Sequence, residues 1–258
     1  MRSSLADIRA RREGLTSLLQ KEGYSSVAEL SQRFSVSEAT IRRDLDVLQE
    51  ENLLTRTYGG ALLEYDALFV PFYQRNAQRR SLKRRIAHSA VKFIEHASSI
   101  FLDAGSTVFS IAERIAELNL KSLKLVTNSL PAAEVLASKG SSEVHLLGGR
   151  LLPHQLVVVG PGASIGLSSW HFDLAFLSAE GMNADGLWNS QDDISNFQRH
   201  VCGRSSRSVL CLDDSKLGQT APSFLMPWNA IETLVTTAKF EQLLENGVDL
   251  ERKRWKYA

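Results

Sequence analysis

The 258-residue chain has only two cysteines, Cys202 and Cys211. So few thiols exclude a disulfide framework and a cysteine-rich metal site, and they point to a reducing, cytoplasmic setting. The sequence has no apolar run long enough to cross a membrane and no leader-like opening, so no membrane partner is expected. It has little net charge: 30 Lys and Arg against 29 Asp and Glu, for a balance of +1. The first 60 residues are as even, so any affinity for a polyanion must come from how charge is arranged, not from its total. Six histidines, His88, His96, His145, His154, His171 and His200, are scattered without metal-ligand spacing. Neither a metal nor a cofactor is expected. With 43% hydrophobic residues, the chain is long enough for one small and one medium domain, each with a core.

The first of these is legible from its helix punctuation. Ile8, Leu15, Leu18 and Leu19 recur at helical spacing and predict a helix ending at Gly23. Ser26-Val27-Ala28-Glu29 has the form of a capping box, which opens a short second helix with Val27, Leu30 and Phe34 inward. Only Ser35 and Val36 intervene before Ser37, the N-cap of a third helix with Ile41, Leu45 and Leu48 as its inward stripe. Ala39, Thr40, Arg42 and Arg43 then face outward near its start. Short polar groups and forked guanidinium donors at a helix start match the base edges and phosphates of a DNA major groove. Two short helices so tightly joined form a helix-turn-helix. Asn52 closes the third helix. Leu53 to Thr57 reads as a strand leading to Tyr58-Gly59-Gly60, a hairpin wing that lays Arg56 along a phosphate backbone. Residues 1–61 are thus predicted as a winged helix-turn-helix domain, with Ser37, Ala39, Thr40, Arg42, Arg43 and Arg56 as its DNA-binding set.

Residues 62–96 form a junction. Leu62 to Tyr73 is apolar enough to pack on a domain, and Arg75, Arg79, Arg80, Lys83, Arg84 and Arg85 make a basic run without an acidic residue. Ile86, Ala90, Val91 and Ile94 continue it as an amphipathic helix. From 97 to 258, short apolar runs alternate with helical stretches. Strands are predicted at Ser99 to Leu102, Leu123 to Thr127, Val144 to Leu147, Leu174 to Leu177, Val209 to Leu212 and Ile231 to Thr236. Helices are centred near Ile111, Val135, Ile165 and Gln198. Such alternation implies a mostly parallel α/β sheet, whose ligands sit at the carboxyl ends of the strands.

Polar turns follow those strands. Asp103-Ala104-Gly105-Ser106-Thr107 combines a glycine and two hydroxyls at a helix start, which is a phosphate cradle. Further turns are Thr127-Asn128-Ser129, Gly148-Gly149-Arg150, Gly160, Ala179-Glu180-Gly181 and Asp213-Asp214-Ser215-Lys216. The effector-binding set is therefore Asp103, Gly105, Ser106, Thr107, Asn128, Gly148, Gly149, Glu180, Gly181 and Lys216, around an anionic small molecule such as a phosphorylated sugar. His154 is a further candidate from its loop. Asp192-Asp193 reads as a helix cap, and Glu251 to Lys256 as a solvated, frayed tail.

Ser26 to Leu30, Val36 to Leu45 and Arg56 to Ala61 together resemble the N-terminal signature of the DeoR family of bacterial transcriptional regulators. Phe101 to Thr107, Val126 to Ser129, Leu146 to Arg150, Val159 to Pro161, Phe172 to Gly181 and Leu212 to Gly218 are similar to that family's sensor domain, which itself resembles ribose-5-phosphate isomerase. The resemblance implies that Thr40, Arg42 and Arg43 contact DNA and that Arg75 and Lys83 sit at the entrance to the sensor domain. It also implies a repressor controlled by a phosphorylated metabolite. Departures gather at Trp188, Ser195, Arg199-His200 and Thr237, where the family carries other residues. Operator binding by two helices implies a homodimer or homotetramer. A sugar-phosphate isomerase or deaminase-like enzyme with an appended DNA-binding domain is the alternative; no catalytic residue is assigned.

Overall fold

The computed structural model describes residues 5–22, 24–50, 55–57, 60–62, 70–94, 99–138 and 142–258. The chain divides into two compact units, Met1–Val70 and Pro71–Ala258.

The first unit runs α1 (Leu5–Glu22), β1 (Tyr24–Ser26), α2 (Val27–Arg33), α3 (Glu38–Glu50), β2 (Thr55–Thr57) and β3 (Gly60–Leu62). The capping box forms as the sequence predicts. Ser26 Oγ accepts from the Glu29 N–H at 3.2 Å, and Glu29 Oε2 accepts from the Ser26 N–H at 2.9 Å. Between α2 and α3 the backbone turns through a left-handed Ser35, φ 52°. Ser37 Oγ then accepts from the Thr40 N–H at 3.2 Å, starting α3. Leu15, Leu19, Val27, Leu30, Ile41, Leu45 and Leu48 make one buried cluster. The strands pair antiparallel in the order β1-β3-β2, with Arg56 opposite Ala61. Strand β1 lies outside the predicted elements because it is three residues that gain structure only by pairing with the wing. Gly23, Asn52, Leu53, Tyr58 and Gly59, which the sequence reading assigned to helix ends and the wing, lie outside the described residues.

The second unit opens with α4 (Phe72–Ala77) and α5 (Arg80–Ala90). The basic junction helix is thus part of this unit, anchored by a buried Phe72 whose ring packs edge-on against Phe109 at 5.3 Å between centroids. Next come β4 (Ser99–Leu102), α6 (Ser106–Leu118), β5 (Lys124–Thr127), α7 (Leu130–Ala137) and β6 (Glu143–Leu146). A hairpin of β7 (Arg150–Leu152) and β8 (Val157–Val159) leads to α8 (Pro161–Ser168) and β9 (Leu174–Leu177). Then follow β10 (Gly181–Asn183), β11 (Gly186–Asn189), α9 (Asp192–Gly203), β12 (Ser208–Leu212), β13 (Ser223–Met226), β14 (Thr233–Thr236), α10 (Phe240–Glu245) and β15 (Trp255–Tyr257).

Seven of these strands form one parallel sheet ordered β15-β14-β12-β9-β4-β5-β6. Its period-2 alternation sorts side chains onto two faces. Ile100, Leu102, Leu125, Phe176, Val209 and Cys211 pack with residues of α5, α6 and α7, and Phe101, Val126, Ala175, Leu177, Leu210 and Leu212 with residues of α8, α9 and α10. Strand order reverses between β4 and β9, because the chain builds outward from β4 through β5 and β6, then returns to start again beside β4. A reversal of this kind leaves a crevice at the strands' carboxyl ends.

All six predicted strands form, but the C-terminal segment differs. Residues 252–254 make a 3-10 turn and β15 joins the sheet edge beside β14. Trp255 Nε1 donates to Ala238 O at 3.2 Å and Arg254 Nη1 to Ile231 O at 3.0 Å. The basic residues that suggested a solvated tail flank an aromatic anchor packed on Phe240. The helix cap at α9 is Gln191; Asp192 and Asp193 occupy its first turn, where Asp192 accepts from Ser223 Oγ at 2.6 Å.

Candidate functional site

On α3, Ser37, Ala39, Arg42 and Arg43 are exposed and Thr40 half-buried, while Ile41, Asp44 and Leu45 are buried. Arg42 Nη2 meets Glu38 Oε2 at 2.6 Å, an exposed pair one turn apart. Such a pair contributes little and yields readily to a phosphate. The buried Asp44 receives Arg11 Nε at 2.6 Å and Arg12 Nε at 2.9 Å, clamping α1 to the helix that presents the two arginines. Sequence periodicity gives no sign of this clamp, because Asp44 lies among residues that read as solvated charge. Arg56 lies on β2; its side chain is outside the described residues.

In the second unit a cavity of about 60 Å³ opens at the switch point. It is lined by Gly105, Ser106 and Thr107 after β4, Ser178 to Glu180 after β9, Asp213, Ser215 and Lys216 after β12, and Arg75, Arg79 and Lys83 from the α4–α5 region. Gly105 takes φ 122° as the N-cap of α6, and a Cβ there would lie 2.6 Å from Ser178 Oγ. Only glycine lets the chain turn so close and aim the first N–H groups of α6 inward.

Charge in the cavity is balanced by contact. Glu180 is gripped from two sides, by Arg75 Nη1 at 2.6 Å and Lys216 Nζ at 2.9 Å. Burial pushes its carboxyl up, but Arg75 and Lys216 outweigh burial and hold it below its usual range. Lys83 is buried, donating to Arg75 O and, at 2.9 Å, to Gln78 O, so it fastens the end of α4 to α5. Burial lowers its pKa to about 8 against the pull of Asp213. Arg79 Nη2 meets Asp214 Oδ1 at 2.7 Å. In turn, Asp214 N–H donates to Thr237 Oγ1 at 3.0 Å, so Thr237 positions the Arg79 partner. Four cationic side chains, Arg75, Arg79, Lys83 and Lys216, line the cavity with two carboxylates, Glu180 and Asp213.

A smaller inner chamber of about 20 Å³ adjoins it through Arg75, Gly105, Ser178, Ala179 and Glu180. Its wall carries a buried chain of polar groups: Asn189 donates to Gln198, and Gln198 Nε2 donates to Asp103 Oδ2 and, at 2.8 Å, to Ser178 O. Burial pushes Asp103 up to about 7, with Gln198 and the Ser178 N–H opposing.

The cavity and chamber together gather Asp103, Gly105, Ser106, Thr107, Glu180 and Lys216 of the predicted effector set. Asn128, Gly148, Gly149 and Gly181 line neither. Asn128 ties the end of β5 to β8, donating from Nδ2 to Val158 O at 3.3 Å. Gly149 admits Val159 O, which a Cβ would meet at 2.7 Å, and Gly181 admits the Gln219 carbonyl, 2.4 Å from such a Cβ. Both are close backbone approaches within the scaffold. His154 lines neither space, its carbonyl accepting from the Phe72 N–H at 2.8 Å. Arg79, expected with Arg80, Arg84 and Arg85 as a surface member of the basic run, lines the cavity instead, paired with Asp213 and Asp214. Ser178, Asn189 and Gln198 were not singled out by the sequence. Gln198 left a readable signal, as a polar residue inside the apolar stripe Ile194, Phe197, Val201 of α9.

A helix-turn-helix unit with outward arginines, in one chain with an α/β unit whose switch point holds a cation-rich cavity, defines a ligand-responsive, DNA-binding transcriptional regulator. Residues 11–65 match the DeoR-like helix-turn-helix domain and residues 78–238 the DeoR C terminal sensor domain. The chain belongs to the DeoR family. It is 32% identical over 229 residues to the glycerol-3-phosphate regulon repressor of Escherichia coli, covering 88% of this chain and 90% of that one. It is 30% identical over 241 residues to the lactose phosphotransferase system repressor of Streptococcus mutans, covering 91% and 94%. Ribose 5-phosphate isomerase from Plasmodium falciparum aligns with 54% of this chain and 53% of its own at 22% identity and a TM-score of 0.39. Among the described residues no helix is long and apolar enough to cross a membrane, and no cluster of His, Cys, Asp and Glu is placed to hold a metal ion.

Proposed function

We propose that the chain is a cytoplasmic repressor whose α3 reads operator DNA through Ser37, Ala39, Thr40, Arg42 and Arg43. A phosphorylated sugar or related small metabolite in the cavity controls that binding. The observation that carries this reading is the Gly105-Ser106-Thr107 turn at the start of α6, opening into a cavity with four cationic side chains. At roughly 10–15 Å³ per water, about 60 Å³ takes a group the size of a phosphoryl. An arriving anion competes with Glu180 for Arg75 and Lys216, which is the charge rearrangement a switch requires. Arg75 belongs to α4, the first helix of the second unit, so the exchange acts where that unit begins. Two reading helices spaced about one DNA turn apart require two copies, so a homodimer or homotetramer is the working form.

Catalysis is no part of this reading. An isomerase needs a general base free to meet a substrate C–H, whereas Asp103 Oδ2 already accepts from Gln198 and the Ser178 N–H, Glu180 is held by Arg75 and Lys216, and Asp213 Oδ1 accepts from the Ser215 N–H and hydroxyl.

The test pairs two variants in gel-shift and calorimetric assays, using DNA upstream of the protein's own gene and a panel of phosphorylated sugars and polyols. Arg43→Ala should weaken DNA binding about tenfold or more while sparing ligand affinity. Lys216→Ala should bind DNA normally and lose roughly tenfold in ligand affinity. Loss of DNA binding by folded Lys216→Ala, or turnover of any sugar phosphate by the wild type, would overturn the reading.

A further inference from the structure

One polar group in the inner chamber has no role in holding a phosphate. Gln155 is 5% exposed and lines the chamber with Asp103, Asn189 and Gln198. Those three satisfy one another, as described. Gln155 Oε1 accepts from Ser190 Oγ at 3.4 Å, but its Nε2 is buried with no hydrogen-bond partner among the described residues. A desolvated amide donor left unpaired is a standing cost that most folded proteins avoid.

The main chain on either side of Gln155 is held in place. Gln155 lies in the β7–β8 turn, next to Leu156, whose φ of 54° is left-handed for a side chain branched at Cγ. The Leu156 N–H donates to Leu152 O at 2.8 Å, and Leu156 O accepts from the Leu130 N–H at 3.0 Å. On the other side His154 O accepts from the Phe72 N–H at 2.8 Å. An unusual backbone conformation and an unpaired buried donor on adjacent residues, pinned from two elements, mark a group held ready for a ligand.

We infer that Gln155 is a specificity-determining residue of the effector cavity, its amide donating to an oxygen on the ligand's carbon skeleton while the phosphoryl group rests on Gly105, Ser106 and Thr107. This rests on the cavity being a phosphate site. The chamber's volume of about 20 Å³ is room for a small terminal group such as a hydroxymethyl or carbonyl. A phosphorylated polyol or its oxidised counterpart places such a group there.

The experiment uses the full chain and calorimetry with four probes: inorganic phosphate, propyl phosphate, glycerol 3-phosphate and sorbitol 6-phosphate. The wild type should bind at least one polyol phosphate more tightly than propyl phosphate, which has the phosphate and no hydroxyl. In Gln155→Leu the affinity for inorganic and propyl phosphate should stay within about twofold, and that for the polyol phosphate should fall about tenfold or more, since the ligand hydroxyl is then buried unpaired. Gln155→Met, which keeps the side chain's length, should behave alike and covers the case in which the first variant fails to fold. Unchanged polyol preference in either folded variant would overturn this assignment alone. A wild type that binds none of the four would overturn the phosphate reading and this assignment with it.

Discussion

Asp103 is a carboxyl group in a place hostile to charge, 2% exposed and pushed up to about 7 by burial. Its ordinary value is 3.8. Between those two limits the folded chain keeps a proton that the unfolded chain has released, so Asp103 makes stability fall as pH rises from about 4 to about 7. Above that window the loss is complete. Glu180 and Asp214, both held below their usual range, act with the opposite sign and lose their stabilising effect as pH falls through the acid range. Asp103→Asn should therefore flatten the decline across pH 4 to 7 without altering the acid limb, by an amount on the order of a few kcal/mol. Urea unfolding of both proteins across that range checks it, and parallel curves would show that the Asp103 carboxyl holds its proton no more tightly in the folded chain than in the unfolded one. At this scale the sequence is informative where a residue directly follows a strand. Asp103, Gly105, Glu180 and Lys216 could be found because the sheet itself delivers strand ends to one edge. Gln155, Asn189 and Gln198 come from a hairpin turn, a strand of a secondary sheet and the flank of a helix. What brings them inward is tertiary packing, which leaves a local mark only for Gln198, as a polar residue within an apolar helix stripe.

Among the elements, α3 depends on α1 for its aim. Arg11 and Arg12 both end on Asp44, whose side chain is 3% exposed. Asp44→Asn removes the negative charge and one of the two accepting oxygens, leaving the largely buried Arg11 without its counter-ion while Arg12 can turn to solvent, so it should destabilise the first unit by about 2 kcal/mol. Thermal unfolding followed by operator binding should show the loss at a lower temperature, with inorganic phosphate affinity of the second unit unmoved. Unchanged thermal behaviour would reduce the clamp to a surface ion pair. Elements with long periodic patterns, such as α3, α6 and the six predicted strands of the parallel sheet, were legible because burial of a whole face sets their spacing. Several short ones were not. β1, β10 and β15 each have three residues, too few for alternation to rise above chance, and each exists because a neighbouring strand supplies its hydrogen bonds. The basic residues around Trp255 also masked an edge strand, since charge there serves solubility while one indole supplies the anchor.

On the scale of the molecule, each unit has its own buried clusters, Leu15 to Leu48 in one and both sheet faces in the other. Residues 71–258 expressed alone should therefore fold and bind inorganic phosphate within about twofold of the full chain, without binding operator DNA. Failure of that fragment to fold, read by circular dichroism, would mean that the sensor leans on its partner unit for stability. The reversal of strand order between β4 and β9 has a further consequence. Arg75 and Glu180, 105 residues apart, meet across the crevice, and the segments at 105, 178 and 213 meet there too. A guest lodged among them belongs to no single stretch of the chain; it stitches a seam between the sheet's two halves, so its arrival is felt on both flanks at once.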